Sequence, residues 1–394
     1  MSIIPSIFKS EYLPRLIQWR RYLHQHPELS WNEYETTQYI ESELRSMGIQ
    51  AIEKPIQTGL VATIAGRNPT KKCIALRADI DALPILEQNT CDYKSQNEGV
   101  MHACGHDVHT TCLLGAAHYL NAHKEDFEGT IKLIFQPSEE KQPSGAEAMI
   151  AAKVLEHPKV STIIGLHVTP ELEIGKIGYR KGQFMASADE IYLTIIGKGG
   201  HAASPHLCID PIIISAQILI ALQQLVSRYA DPKTPTVLSF GDIHGYGATN
   251  IIPDKVEIKG TFRTFDEVWR KEMHTKIRSV CEGIASSFGA QCMVDIPEGL
   301  PFVYNHEEFT TSTVASIKEL LGDSQVVEMP IRMGAEDFSY YGHQCPATFL
   351  RLGTGNALKG TTIPVHNSKF DIDEEALAVG SMTMAHVALS QLSV

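Results

Sequence analysis

The stretch DEIYLTIIG (residues 189–197) marks the point where the pattern of the chain changes, and it predicts a β-strand. The segments that follow it read in turn as a helix, two strands, a helix and a strand: 210–229, 236–245, 255–265, 268–289 and 291–297. The resulting order, β-α-β-β-α-β, is the ferredoxin-like split βαβ pattern. We therefore expect a separate α+β domain in the middle of the chain.

The sequence on both sides of this domain has a different pattern. Before it, helical segments alternate with apolar runs that predict buried strands, namely LVATIAG (60–66), CIALRAD (73–79), IKLIFQP (131–137) and TIIGLHV (162–168). After about residue 300 the chain returns to a helix, two strands and a final helix from Asp373. The simplest architecture is an α/β domain in two segments, 1–184 and 299–394, with a central mixed sheet flanked by helices and the smaller domain, 185–298, inserted.

Composition restricts the class of protein. The chain has 394 residues, 43% of them hydrophobic and 20% charged, which is ordinary for a globular protein of two domains. A net charge of −12 argues against a nucleic-acid partner, which would require a basic face. The N-terminus has no secretory pattern, and the eight cysteines show no disulfide spacing, so we expect reduced thiols and a cytoplasmic location.

The longest apolar run is PIIISAQILIALQQLV (211–226). It is interrupted by glutamines and is too short to span a bilayer comfortably. The sequence therefore predicts a well-buried helix and no membrane partner.

The stretch VMHACGHDVH (100–109) has an unusual density of metal-binding side chains. Cys104 and His106 form a C-x-H pair, flanked by His102, Asp107 and His109. The pair alone is consistent with a metal site, a Cys/His nucleophile or coincidence in a chain with 17 histidines.

Further polar residues follow predicted strands. Asp79 and Asp81 end one strand, Glu139 and Glu140 follow the next, and His167 ends a third, while His366 comes late in the chain. Loops beyond the carboxyl ends of strands are where α/β proteins usually build their sites. Thiolate, imidazole and carboxylate are the ligands of borderline divalent metals, and adjacent Glu residues allow one to bind metal while the other acts as a base.

A set of motifs gives these residues a common context. RADIDALP, MHACGHDVHTT, FQPSEE, GLHV, MASADE, GKGGHAASPH, GATNIIPD, GTFRTF, GAEDFSYY and VHNSKFDIDEEAL occur in this order along nearly the whole chain. Together they resemble the M20 peptidase/amidohydrolase superfamily, in particular the branch of hippurate hydrolase, auxin-conjugate amidohydrolases and N-acetyl-diaminopimelate deacetylases. Two departures, PSEEKQPSGA without a glycine run and HNSKF for HSPKF, affect no ligand and bear on substrate fit.

The resemblance implies a role for each candidate residue. Two divalent ions per subunit (Mn, Zn, Co or Ni) would bind to five ligands: Cys104, His106, Glu140, His167 and His366. Cys104 would bridge the ions and Glu139 would be the general base, while Asp81 would orient a histidine ligand and Asp79 is a second candidate for that role. The inserted domain would be a lid and dimerisation domain. Its His201 would stabilise the oxyanion, from the partner subunit in many relatives, and Asn250 and Arg263 would bind substrate.

The expected function is a metal-dependent amidohydrolase that removes the acyl group from a small N-acyl amino acid or related amine. We expect a homodimer. The alternatives are a Cys104 nucleophile, a metal-dependent dipeptidase, a catalytically silent metal-binding regulatory protein of the same fold, and a structural zinc site. An unligated Glu139 argues against a silent protein, and ligands spread from 104 to 366 argue against structural zinc.

Overall fold

The computed structural model describes residues 6–392, with side chains from residue 10 onward, and the chain divides into two compact units. Unit 1 comprises the residues up to Gly182, Tyr304–Pro330 and the residues from Asp337 onward, and unit 2 comprises Gln183–Val303 and Ile331–Glu336. The last short segment joins unit 2 because the Arg332 backbone bonds to Phe184 and Ala186. The sequence boundaries at residues 184 and 298 stay predictions.

The described chain contains nine α-helices. Their bounds are α1 Ser6–Gln25, α2 Tyr34–Ser46, α3 His106–Ala122, α4 Gly145–Ala151, α5 Pro211–Gln224, α6 Glu267–Ser287, α7 Glu307–Leu321, α8 Ser339–Gly342 and α9 Ala376–Leu392.

It also contains sixteen strands. Their bounds are β1 Ile52–Glu53, β2 Leu60–Ala65, β3 Cys73–Asp79, β4 Thr130–Gln136, β5 Thr162–Glu173, β6 Ile177–Tyr179, β7 Gly182–Met185, β8 Asp189–Ile196, β9 Gly200–His201, β10 Thr236–His244, β11 Ile251–Ile252, β12 Lys255–Thr264, β13 Gln291–Asp295, β14 Val303–Asn305, β15 Val326–Glu328 and β16 Ala347–Gly355.

Unit 1 is built on an eight-stranded mixed sheet in the order β1-β2-β4-β3-β5-β16-β6-β15. Its centre is parallel, since β3 pairs in parallel with both β4 and β5, and β5 pairs in parallel with β16. Strands β3 and β4 are buried along their whole length, which explains why they read as continuous apolar runs. The predicted α/β class with a central mixed sheet is confirmed.

Helices α1, α3 and α9 of unit 1 pack closely at small side chains. A Cβ added to Gly115 of α3 would lie 2.3 Å from Ser381 Oγ of α9 and 2.6 Å from Leu16 of α1. A Cβ on Gly380 of α9 would lie 2.4 Å from Cys112 Sγ of α3. The absence of these side chains lets the helix backbones approach, and this close packing fixes the position of α3, whose first residue is His106.

Unit 2 is built on a four-stranded antiparallel sheet in the order β10-β12-β8-β13. The chain order β8, α5, β10, β12, α6, β13 is the β-α-β-β-α-β pattern expected from the sequence. Its core joins Leu193 of β8 to Ile218 of α5 and Ile277 of α6, all of them fully or almost fully buried. The inserted α+β fold is confirmed.

Helix α5 differs from the sequence expectation of a well-buried helix. Ile214, Ile218 and Leu222 pack into the unit 2 core, but Ile213 is 58% exposed and Ile220 is 69% exposed. The expectation was wrong because both faces of the helix are apolar, so the pattern does not distinguish the face that packs from the face that does not. By length and apolar content alone, Pro211–Tyr229 could cross a membrane, although the same is true of many core helices.

We expect two Gly→Ala substitutions in helices to have opposite effects on stability. Gly380→Ala gains helix propensity but forces a methyl group against Cys112, and overpacking of this kind costs roughly 1–3 kcal/mol. Gly283→Ala in α6 meets no atom within 4 Å and should stabilise by about 0.5–1 kcal/mol. Urea unfolding of the two variants measures both effects. A Gly380→Ala variant as stable as the wild type would contradict the close packing of α3 and α9.

Candidate metal centre

The candidate residues of unit 1 gather at one edge of its sheet. The parallel strands β3 and β4 end at Asp79 and Gln136, and the loops that follow them hold Asp81, Glu139 and Glu140. His167 lies on β5, which pairs in parallel with β3. The edge formed by the carboxyl ends of these strands is where α/β sheets place their ligands.

Cys104 and His106 reach this edge from the turn that starts α3. Gly105 between them has a φ of 81°, a left-handed conformation that glycine adopts without strain. A side chain there would also collide with Val168, since an added Cβ would lie 2.6 Å from Val168 Cγ2. The glycine therefore allows the turn to pack against β5, and both flanking side chains are buried.

His106 is oriented by Asp81. Its Nδ1 lies 3.1 Å from Asp81 Oδ1, and both residues are almost completely buried. Burial opposes the charged imidazolium, but Asp79 and Asp81 raise the pKa of His106 to about 10. Its Nε2 is buried and makes no hydrogen bond with any described residue. The ring thus presents an unpartnered nitrogen to the centre, as a metal-ligating histidine does.

His167 is oriented by its own backbone. Its Nδ1 donates to the Val168 carbonyl oxygen at 2.7 Å, so the Nε2 lone pair faces Cys104 Sγ at 3.4 Å. Burial, with the Arg351 guanidinium nearby, lowers the pKa of His167 well below its ordinary value. A neutral imidazole is the form that binds metal.

Glu139 and Glu140 extend from the turn after β4. Glu140 N–H donates to Asp81 Oδ2 at 3.1 Å, so one buried carboxylate anchors both this turn and His106. Glu140 Oε1 lies 3.2 Å from His366 Nε2 and 3.9 Å from His106 Nε2. Glu139 Oε2 lies 4.0 Å from His106 Nε2. Both carboxylates therefore face the same space.

His366 completes the group from a loop far along the chain. Its backbone has a φ of 62°, which is uncommon for a residue other than glycine. The backbone N–H donates to the Ala103 carbonyl oxygen at 2.8 Å, next to Cys104. This bond holds the loop against the turn that starts α3.

The candidate ligand atoms form overlapping clusters, in each of which all atoms lie within 4.8 Å of one another. One cluster contains Cys104, His106 and His167, and another contains Cys104, Glu140 and His366. Cys104 is common to both. Together with the unpartnered His106 Nε2, the thiol, imidazole and carboxylate groups of these clusters form a donor set of the kind that holds divalent cations.

Two further polar residues of the 100–109 stretch, Asp107 and His109, make their hydrogen bonds elsewhere. Asp107 Oδ2 accepts from Arg20 Nε at 2.9 Å and lies 2.7 Å from His24 Nδ1. His109 Nδ1 lies 2.6 Å from Asp79 Oδ1, and its Nε2 accepts from Val168 N–H at 2.9 Å. These hydrogen bonds fix Asp107 and His109 inside unit 1. Part of the 100–109 stretch therefore supports the candidate centre, and part of it supplies candidate ligands.

Two supporting residues differ from the sequence expectation or were missed by it. Asp79, considered for orienting a ligand, bonds to His109, and its Oδ1 is 3.8 Å from His106 Nδ1. Ser30, which donates to Asp81 Oδ2 at 2.7 Å, was missed. No local signal marks it, because a serine in a short loop between helices looks like any turn residue.

The remaining candidates lie in unit 2. His201 is exposed on β9, which pairs with β11, and its Nδ1 accepts from Ala203 N–H at 3.1 Å. The Asn250 carbonyl oxygen accepts from Ala202 N–H at 3.0 Å, so His201 and Asn250 lie on the same small ribbon. Arg263 on β12 is half-buried, with its Nε donating to Thr261 Oγ1 at 3.1 Å.

The electrostatics of Cys104 bear on the nucleophile alternative. Burial raises the pKa of its thiol well above the ordinary value, and the Glu140 and Glu139 carboxylates raise it further. A nucleophilic cysteine needs the opposite surroundings, in which positive charge stabilises the thiolate. Cations bound among these carboxylates would supply that charge and stabilise the thiolate as a ligand.

Comparison with known proteins agrees with this geometry. Residues 75–390 match the model of peptidase family M20/M25/M40. The chain is 40% identical over 377 residues to thermostable carboxypeptidase 2 of Saccharolobus solfataricus, covering 95% of this chain and 94% of the relative. It is also 40% identical over 376 residues to N-acetylcysteine deacetylase of Bacillus subtilis, and this match covers 95% of this chain and 96% of the relative.

A solved structure is similar over almost the whole chain. The Bacillus subtilis YxeP protein, described as a dinuclear metal binding peptidase from the M20 family, superposes with a TM-score of 0.84 at 37% identity. The match covers 97% of this chain and 99% of that one. By family match, sequence identity and fold, the chain belongs to peptidase family M20/M25/M40.

Proposed function

We propose that this protein is a dinuclear metal-dependent amidohydrolase that removes the acyl group from an N-acyl amino acid. The observation that carries the proposal is the gathering of Cys104, His106, Glu140, His167 and His366, with Glu139 beside them. Membership of a family that contains a dinuclear metal-binding peptidase supports the same chemistry.

Cys104, His106, Glu140, His167 and His366 would hold the two cations, and Cys104 belongs to two of the clusters of candidate ligand atoms. Sulfur, imidazole and carboxylate donors suit Zn²⁺, Mn²⁺, Co²⁺ or Ni²⁺. Bound there, the cations supply Lewis-acid polarisation of the amide carbonyl and a lowered pKa for water. Asp81 fixes the orientation of His106 and, through the Glu140 N–H, the position of a second ligand.

Glu139 is the general base of this proposal. Its neighbour Glu140 faces His106 and His366 and serves as the ligand of the pair, which assigns the proton transfer to Glu139. Glu139 takes a proton from the attacking water and passes it to the nitrogen of the leaving amine. The position of its Oε2, 4.0 Å from His106 Nε2, places the base at the edge of the ligand cluster.

The substrate class follows from the chemistry that the named relatives share. A carboxypeptidase and an N-acetylcysteine deacetylase both cleave an amide whose nitrogen belongs to an amino acid with a free carboxylate. We propose that unit 2 recognises this carboxylate through Arg263 and Asn250, because a guanidinium and an amide are suitable donors. A metal-dependent dipeptidase would use the same centre, but similarity to an N-acetylcysteine deacetylase supports removal of an acyl group instead.

We further propose that unit 2 is a lid and dimerisation domain and that the enzyme is a cytoplasmic homodimer. The exposed face of α5, with Ile213 and Ile220, and the edge strand β10 support a second copy as the partner. His201 of one subunit donates a hydrogen bond to the developing oxyanion in the site of its partner. The eight free cysteines suit a reducing compartment.

Two alternatives account less well for the site. A Cys104 nucleophile conflicts with the raised pKa of its thiol. A silent regulatory protein of this fold would have no use for Glu139 at the ligand cluster.

We expect hydrolysis of N-acyl amino acids to require both metal and Glu139. A panel of N-acetyl, N-benzoyl and N-indoleacetyl amino acids, with their methyl esters as controls, is assayed by released amine. Enzyme from which a chelator has removed the metal should be inactive, and its activity should return on addition of Zn²⁺, Mn²⁺, Co²⁺ or Ni²⁺. Glu139→Gln should keep its metal but lose roughly 10²–10⁴-fold in turnover. Wild-type turnover in a metal-replete Glu139→Gln variant would exclude Glu139 as the base.

Cys104→Ser should weaken both metal sites, because its sulfur belongs to both ligand clusters. Metal analysis after dialysis is expected to show lower occupancy of two ions, not of one. The matched control is Cys345→Ser, a half-buried cysteine that precedes β16 at the end of the sheet opposite His167. Full occupancy and unchanged metal affinity in Cys104→Ser would remove Cys104 from the ligand set.

A subunit-mixing experiment tests whether His201 acts across a dimer. His201→Ala alone should lower turnover by about 10²–10³-fold without loss of metal, the usual cost of one oxyanion donor. In a His201→Ala/Glu139→Gln hybrid, one site would combine an intact base with an intact lid, and activity should return. Proven heterodimers without activity would exclude action in trans.

A further inference from the structure

The short loop between α1 and α2, residues 26–33, bonds directly to the segments that follow β3 and β4. Its Ser30 bonds to Asp81, and Ala82 N–H donates to the Glu28 carbonyl oxygen at 2.8 Å. Trp31 Nε1 donates to the Pro143 carbonyl oxygen at 3.0 Å, beyond the Glu pair. The loop is therefore attached to the segment after β3, which contains Asp81, and to the segment after β4, which contains Glu139 and Glu140.

Glu33 at the end of this loop has an unusual placement. It occupies the residue before α2, where a side chain normally caps the helix, yet it makes no capping bond. The Glu28 carboxylate takes over that role and accepts from the N–H groups of Glu35 and Thr36, at 3.2 and 2.7 Å. The Glu33 side chain is thus relieved of capping and turns into the interior, where it is fully buried.

Inside, the Glu33 carboxylate binds the residue that precedes the catalytic Glu. Its Oε1 accepts from Ser138 N–H at 2.9 Å and from Trp31 N–H at 3.0 Å, and its Oε2 accepts from the Thr58 hydroxyl at 2.8 Å. Three donors from three separate segments fix one carboxylate in place.

Ser138 needs such support because its backbone is strained. Its φ is 46°, a left-handed value for a residue that is not glycine. Conformations of this kind persist only where the surrounding contacts impose them. The Ser138 carbonyl oxygen accepts from Gly145 N–H at 2.9 Å and its hydroxyl donates to the Lys141 carbonyl oxygen at 3.0 Å, so the turn is closed on itself and Glu33 ties it to the rest of unit 1.

We infer that Glu33 is a positioning residue, which holds the Ser138 turn and thereby sets the direction in which Glu139 points. The inference rests on the proposed hydrolase activity. Glu140, two residues after Ser138, has its own anchor in Asp81. Loss of Glu33 should therefore misplace the base while the ligand set keeps its metal.

The conservative variant Glu33→Gln should retain most of the activity that Glu33→Ala loses. Burial, with Asp81 nearby, raises the pKa of Glu33 to about 7, so its surroundings accept a neutral side chain. In Glu33→Gln the amide oxygen can accept both N–H groups, and the amide nitrogen can donate to a rotated Thr58 hydroxyl.

The experiment compares Glu33→Ala, Glu33→Gln and the control Glu28→Ala. Glu28→Ala removes the cap of α2 but no contact to the Ser138 turn, so it should lower thermal stability and leave kcat unchanged. Glu33→Ala should lower kcat by about 10–10²-fold with metal content retained and KM within about threefold, the size expected for a misplaced catalytic group. Glu33→Gln should retain kcat within about fivefold of the wild type, since its hydrogen bonds are preserved.

Hydrogen–deuterium exchange gives a readout that does not depend on activity. The peptide around residues 137–141 should exchange faster in Glu33→Ala and unchanged in Glu28→Ala. If the wild type hydrolyses no substrate of the panel, the proposed function fails, and the exchange rates still decide whether Glu33 holds the turn. If Glu33→Ala does not fold, Thr58→Val, which removes one donor to the same carboxylate, should lower kcat by about three- to tenfold. Wild-type kcat in Glu33→Ala, or in Thr58→Val where that variant replaces it, would overturn the inference, as would an equal loss of kcat in Glu28→Ala.

Discussion

The buried carboxylate of Asp81 is the interaction on which the site depends. One oxygen faces His106 Nδ1, and the other accepts from Ser30 and from the Glu140 backbone. A buried charge of this kind is tolerated only when hydrogen bonds satisfy it, and the same bonds fix the groups that supply them. Asp81 thereby links three distant stretches of sequence into one rigid arrangement.

A second set of buried charges supports the first. Arg77 donates to Asp79 at 2.6 Å and to Asp337 at 2.7 Å, and Asp79 in turn holds His109 against the Val168 backbone. Val168 is next to His167, so this chain of contacts fixes the strand on which a ligand lies. Preorganised ligands bind metal more tightly because less side-chain freedom is lost on binding.

The sequence determined the fold class to a large extent. Strands β3 and β4 were predicted within one residue of their observed bounds, because a strand buried on both faces is a continuous apolar run. The residue types at the candidate centre were also predictable, since ligand chemistry is a property of the side chain and the motifs keep a fixed order. The apolar face of α5 was not predictable, because a helix that is apolar all round does not show which side packs.

Tertiary structure alone decided which polar residues meet. The sequence contains many acidic residues and histidines of similar appearance, and nothing local separates Asp81, which holds His106, from Asp79, which holds His109. Ser30 bonds to Asp81, more than 50 residues away, and Glu33 bonds to Ser138, more than 100 residues away. These contacts arise only when the loop between α1 and α2 folds over the carboxyl ends of the strands. The sequence by itself determined which elements form and which chemistry is present. Hydrogen bonds between distant segments are set by how the elements pack, and packing is a property of the whole chain.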